Sequence, residues 1–146
     1  MLKHLYISNF TLINELDMSF NPGFSVITGE TGAGKSIIIG AVSMLLGNRA
    51  DTKMIRNGKD KCIVEAVFSI SDYDQDFMNS FLKDNDLDNN GDECILRREI
   101  NISGKNRAFI NDTPVILASL KELGEHLLDI HSQHQNLMLN KEDFQL

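Results

Sequence analysis

Apolar and polar positions alternate with period two through Leu2–Phe10, and again through Leu16-Asp17-Met18-Ser19-Phe20. Such alternation predicts two half-buried strands, joined here by a short turn around Ile13-Asn14. Asn21-Pro22-Gly23 is a tight turn, Pro presetting φ and Gly accepting a positive one. It delivers the chain into Phe24-Ser25-Val26-Ile27-Thr28, apolar enough for a buried strand. Residues 37–46 are apolar nearly all round, the pattern of a buried helix, and Gly47-Asn48 is its stop signal. The basic stretch up to Lys61 reads as loop with a short helical turn at most. Strand character returns over residues 62–70, rich in β-branched and aromatic side chains. Asp72 is placed to cap a helix whose inward positions are Phe77, Met78, Phe81 and Leu82. Residues 93–100 and 107–110 flank a glycine-containing loop and predict a hairpin. Beyond the turn at Asn111-Asp112, Thr113 as N-cap and Pro114 as first helical residue predict a helix ending at Gly124. Leu127-Leu128-Asp129-Ile130 is a short buried-strand candidate, and residues 131–136 form a polar loop.

One stretch carries chemistry. Gly29-Glu30-Thr31-Gly32-Ala33-Gly34-Lys35-Ser36 satisfies the phosphate-loop pattern, two glycines four residues apart followed by Lys and Ser, between a predicted strand and a predicted helix. The glycines lack a Cβ, so successive N–H groups can curl around phosphate oxygens, and a helix beginning near Lys35 adds its positive end. Lys35 then reaches the β- and γ-phosphates of a nucleotide, and Ser36 offers its hydroxyl to Mg²⁺. The alternative is a glycine-rich turn that matches by chance, against which the strand-loop-helix setting weighs.

Composition narrows the class. The chain of 146 residues is the size of one domain, with 42% hydrophobic and 24% charged residues, as in an ordinary soluble globular protein. No apolar run approaches membrane-spanning length, and the chain opens on a strand pattern rather than a signal peptide, so an intracellular location and no membrane partner are expected. Cys62 and Cys94 lack a C-x-x-C spacing and stand in apolar runs, which predicts buried, reduced thiols. A net charge of −7 argues against coating nucleic acid by bulk electrostatics. The basic residues nonetheless gather in two stretches: Arg49, Lys53, Arg56, Lys59 and Lys61, then Arg97, Arg98, Lys105 and Arg107. Basic patches or solvated faces both fit them.

Other candidates are weaker. Asp86-Leu87-Asp88-Asn89-Asn90-Gly91 begins like a calcium loop, but Arg97 occupies the position of the bidentate Glu. His131 and His134 lack further ligands for zinc. Leu127-Leu128-Asp129 is the only approach to the Asp that holds Mg²⁺ in many ATPases, and it is short of apolar residues. Gln133 has an amide able to touch Mg²⁺ and orient water, although spacing alone does not single it out.

Five motifs in order carry a resemblance: Leu5-x-Ile7-x-Asn9-Phe10, the phosphate loop, Gly47-Asn48-Arg49-Ala50, Ile110-Asn111-x-x-Pro114-Val115, and Leu128-Asp129-Ile130-His131-Ser132-Gln133-His134-Gln135. Together they resemble the N-terminal part of bacterial DNA repair ATPases of the structural-maintenance-of-chromosomes-like (SMC-like) family, whose heads are similar to those of ABC transporters. Glu30-Thr31 separates the chain from condensin-type members, which usually carry Pro-Asn there. The resemblance implies an α/β phosphate-loop NTPase of the ABC/SMC head type, residues 1–146 forming the N-terminal lobe with a β-rich subdomain. The C-terminal lobe, with its signature motif and acidic Asp-Glu, and the coiled coil lie outside the chain. Gln133 becomes the Q-loop glutamine, a Mg²⁺ ligand that senses the γ-phosphate, and Asp129 a strand-end residue. Arg49 matches an arginine that in related heads approaches nucleotide or DNA. The implied partners are DNA, the protein's own C-terminal lobe and a second head that sandwiches ATP. The implied role is ATP hydrolysis in double-strand-break repair, in the cytoplasm at the nucleoid, with the isolated lobe inactive or very weak. Two other readings stay open: a small-molecule or nucleoside kinase, and a nucleotide-binding module without turnover. Against a kinase stand the two strands that precede the loop.

Overall fold

A computed structural model describes residues 2–20, 32–71, 74–89 and 91–134, without the side chains of 32–36 and 129–134. The predicted strand at residues 24–28 and the first half of the phosphate loop, Gly29, Glu30 and Thr31, lie outside the described residues. Six strands, β1 (Leu2–Phe10), β2 (Ile13–Ser19), β3 (Lys61–Ser69), β4 (Glu93–Asn101), β5 (Asn106–Ile110) and β6 (Thr113–Val115), form one antiparallel sheet ordered β2-β1-β3-β4-β5-β6. Among the described residues three helices accompany it, α1 (Gly32–Leu45), α2 (Gln75–Asp84) and α3 (Leu117–His134), with a short 3₁₀ turn at Thr52–Met54.

Strict alternation decides the faces of the sheet. Cys62, Val64, Ala66 and Phe68 of β3 and Cys94, Leu96, Arg98 and Ile100 of β4 point into the core, where α1 adds Ala41, Met44 and Leu45 and α3 adds Leu120, Leu123 and Leu127. In β1 the register shifts between Leu2 and His4, so Leu2 is followed inward by Leu5 and Ile7. Asn9 takes a positive φ of 53°, which an Asn tolerates, and Phe10 is buried directly after it.

Several boundaries differ from the sequence expectation. The β1–β2 turn falls at Thr11-Leu12, because Phe10 pairs with Ile13. Helix α1 begins at Gly32 rather than near Lys35. The cap of α2 is Asp74, whose carboxylate accepts from the N–H groups of Asp76 and Phe77 at 3.0 and 3.2 Å; Asp72 lies outside the described residues. Thr113 and Pro114 do not start a helix. Asn111 and Asp112 both have positive φ, 51° and 65°, the geometry of a two-residue hairpin turn, and Thr113 pairs with Ile110. The largest correction concerns the end. Residues 127–134 are neither strand nor loop but the continuation of α3, because Leu120, Leu123 and Leu127 keep one helical stripe through Gly124.

Gly124 stays in the helix for a packing reason. A Cβ built there would press on the backbone oxygen of Leu45 and lie 3.3 Å from its carbonyl carbon, while one on Gly47, at φ 83°, would lie 2.5 Å from Cβ of Lys121. The two glycines let α3 cross the end of α1 backbone to backbone. The other face of the sheet mixes charged side chains with half-buried Ile63, Val67, Ile95 and Phe109. Arg97 there lies 3.3 Å from Glu65, 3.1 Å from Glu99 and 2.9 Å from Asp112, with its guanidinium 4.4 Å from the Phe109 ring centroid.

Candidate nucleotide site

Gly32, Ala33, Gly34, Lys35 and Ser36 form the first residues of α1. The opening N–H groups of a helix have no intrahelical partner, and no acidic residue stands in this first turn to compete for them. An anion therefore fits at this end, which is where the motif requires the phosphates of a nucleotide. If ATP and Mg²⁺ sit there, Lys35 and Ser36 are the side chains of α1 to meet them; both lie outside the described side chains. Gln133 falls in the last residues of α3, not in a loop, and Asp129 is likewise helical. The helices that carry Lys35 and Gln133 meet where Gly124 crosses Leu45, at the end of α1 opposite Lys35. Arg49 is exposed on the connection that follows α1.

The second basic stretch divides: Lys105 and Arg107 are exposed, whereas Arg97 and Arg98 are engaged within the fold. Arg97 is taken up by three carboxylates. Arg98 is wholly buried, 0% exposed, although it is a cation. Its Nη1 donates to the carbonyl oxygens of Met44 at 2.9 Å and Asn48 at 2.5 Å, and its Nε donates to Oδ1 of Asn106 at 3.1 Å. Burial lowers its pKa from the ordinary arginine value. This residue was missed in the sequence, although the parity of β4 marks it: it alternates with Leu96 and Ile100, whereas Arg97 alternates with Glu99. Of the first stretch, Lys53, Arg56 and Lys59 line an open cleft of about 460 Å³ with Leu12 and Ile102, with no acidic side chain among its described lining residues.

Cys62 and Cys94 are free and buried, and burial pushes their thiols up to about 11 and about 12. Both match the expected reduced core cysteines. Among the described residues no group of three His, Cys, Asp or Glu could hold a metal, and no helix is long and apolar enough to cross a membrane.

Comparison with known proteins places this geometry. The AAA domain family matches residues 4–145, and the chain belongs to that family. Its fold is that of the SMC and ABC type of ATPase head, as its likeness to solved structures demonstrates. A chain from work on ATP-driven dimerization and DNA-stimulated activation of SMC ATPases superposes with a TM-score of 0.66 at 18% identity, covering 97% of this chain and 95% of that one. The SMC head domain from Thermotoga maritima gives 0.61 at 26% identity, over 84% of this chain and 41% of that one. In sequence, the chain is similar over its whole length to the DNA repair protein RecN. It is 46% identical to RecN of Vibrio cholerae over 147 residues, and 41% identical to RecN of Bacillus subtilis over 143 residues. These matches cover 100% and 98% of the chain but 26% and 24% of those proteins, so it spans about a quarter of their length. The resemblance carried by the five motifs is thus borne out, and it is to the N-terminal lobe of RecN. A nucleotide is implied by the family.

Proposed function

We propose that the chain is the ATP-binding lobe of a RecN-like DNA repair ATPase, acting in recombinational repair of double-strand breaks. The observation that carries this is the phosphate-loop sequence running into the start of α1 within a lobe of SMC-head fold. Main-chain amides from Gly29 to Ser36 gather the triphosphate, Lys35 neutralises its β- and γ-oxygens, and Ser36 and Gln133 ligate Mg²⁺. Arg49, exposed after α1, approaches nucleotide or DNA. Hydrolysis then depends on the C-terminal lobe and on a second head closing over the ATP. DNA is the other partner: its phosphates need clustered cations, and the cleft of Lys53, Arg56 and Lys59 supplies them. Such a protein works in the cytoplasm at the nucleoid.

Calorimetric titration with Mg-ATP tests the reading. Lys35→Ala is expected to remove most of the affinity without unfolding the lobe, and unchanged affinity refutes the proposal. In the intact protein Gln133→Ala is expected to slow turnover more than it weakens binding, and an equal loss of both counts against a Mg²⁺-side role.

A further inference from the structure

Arg98 is the one charged side chain counted as buried among the described residues, and it makes no ion pair. A chain that needed only core volume at this position of β4 would do as well with an apolar residue, since burying a charge is costly. What the guanidinium contributes instead is direction. Apolar packing between α1 and the sheet is non-directional and tolerates sliding along the helix axis. Two hydrogen bonds from one nitrogen to carbonyls at the end of α1 do not tolerate it. The charge is also of the sign that the carboxyl end of a helix favours. A third bond, to Asn106, ties the same guanidinium to the strand opening the second arm of the β4–β5 hairpin.

We propose that Arg98 is a positioning residue for nucleotide, pinning the carboxyl end of α1 to the central strand β4 and so setting where the phosphate-loop end of the same helix stands relative to the sheet. The inference rests on the reading of the phosphate loop given above. Gly32 to Ser36 open this same helix, so an axial shift of α1 moves their main-chain amides away from where the phosphates need them. A misplacement of about 1 Å at such a site can cost as much as about a hundredfold in rate.

The test uses the intact polypeptide that carries this lobe and compares Arg98→Met, Arg98→Lys and Lys35→Ala. Mg-ATP affinity is measured by calorimetry well below each variant's melting temperature, so that a purely structural contribution of Arg98 would lower the melting temperature but leave affinity unmoved. The expected result is a folded Arg98→Met protein whose Kd is roughly tenfold weaker, with Arg98→Lys, which keeps a donor, lying between it and the parent. A folded Arg98→Met protein with the parent's Kd overturns the inference. Should Arg98→Met not fold, Arg98→Lys decides, and parental affinity in a folded Arg98→Lys protein overturns it equally. If Lys35→Ala binds as the parent does, the phosphate-loop reading fails, which is distinguishable because Arg98 is untouched in that variant.

Discussion

Gly124→Ala tests whether the helix crossing is set by backbone contact. On an isolated helix the change is favourable by about 1 kcal/mol, because Ala loses less conformational freedom than Gly. In this lobe the new methyl would meet the carbonyl oxygen of Leu45 well inside 3.0 Å, a separation that real Cβ atoms essentially never show. To recover ordinary contact the helices must part by roughly 1 Å. Neither side yields cheaply. Arg98 holds the end of α1 through Met44 and Asn48, and Leu120, Leu123 and Leu127 hold α3 in the core at 0% exposure. A gap of that size forfeits about a quarter to a half of the dispersion energy of the atoms facing it, and overpacking of this kind costs about 1–3 kcal/mol beyond the helix gain. At about 2–4 °C per kcal/mol for a domain of this size, melting should fall by roughly 2–12 °C. Urea unfolding followed by circular dichroism measures the change, as a lower midpoint with an unchanged slope. A variant as stable as the parent, or more stable by the helix-propensity gain, would show that the crossing does not depend on the missing side chain.

Two further predictions concern the core and its edges. Unfolded thiols ionise near pH 9.0, whereas Cys62 and Cys94 in the folded lobe are held up to about 11 and about 12 by burial. Above pH 9 the unfolded chain therefore releases protons that the native one keeps, and stability falls as pH rises through that window. The fall should be shallower in a Cys62→Ala/Cys94→Ala variant; identical slopes from pH 9 to 11 would contradict buried neutral thiols. Asp74→Ala removes the acceptor for two N–H groups at the start of α2 and should cost about 1 kcal/mol. Asp74→Asn should recover most of that, so equal losses in the two variants would rule out capping as the cause.

Much of the lobe was legible in the order of its residues. Period-two alternation located β1 and β2, and β-branched or strand-like runs located β3, β4 and β5, near their observed places. The phosphate-loop motif was legible because the chemistry it implies uses main-chain amides and two side chains consecutive in the chain. Local signals failed where a remote element outweighed them. Thr113-Pro114 carries good helix-start chemistry, yet pairing with Ile110 across a two-residue turn holds it in the sheet. Gly124 looks like a helix stop, yet close packing against Leu45 explains why the helix runs on past it.

Arg97 and Arg98 draw the line between the two kinds of information. Their positions in sequence assigned them opposite faces of β4, but only the assembled sheet decided that one face would meet Glu65, Glu99 and Asp112 and the other the end of α1. The sequence alone determined the five longer strands and the family resemblance, because each depends on neighbours along the chain. Tertiary structure alone decided how far α3 extends, how closely it crosses α1 and why a cation lies in the core, because each depends on residues dozens of positions apart.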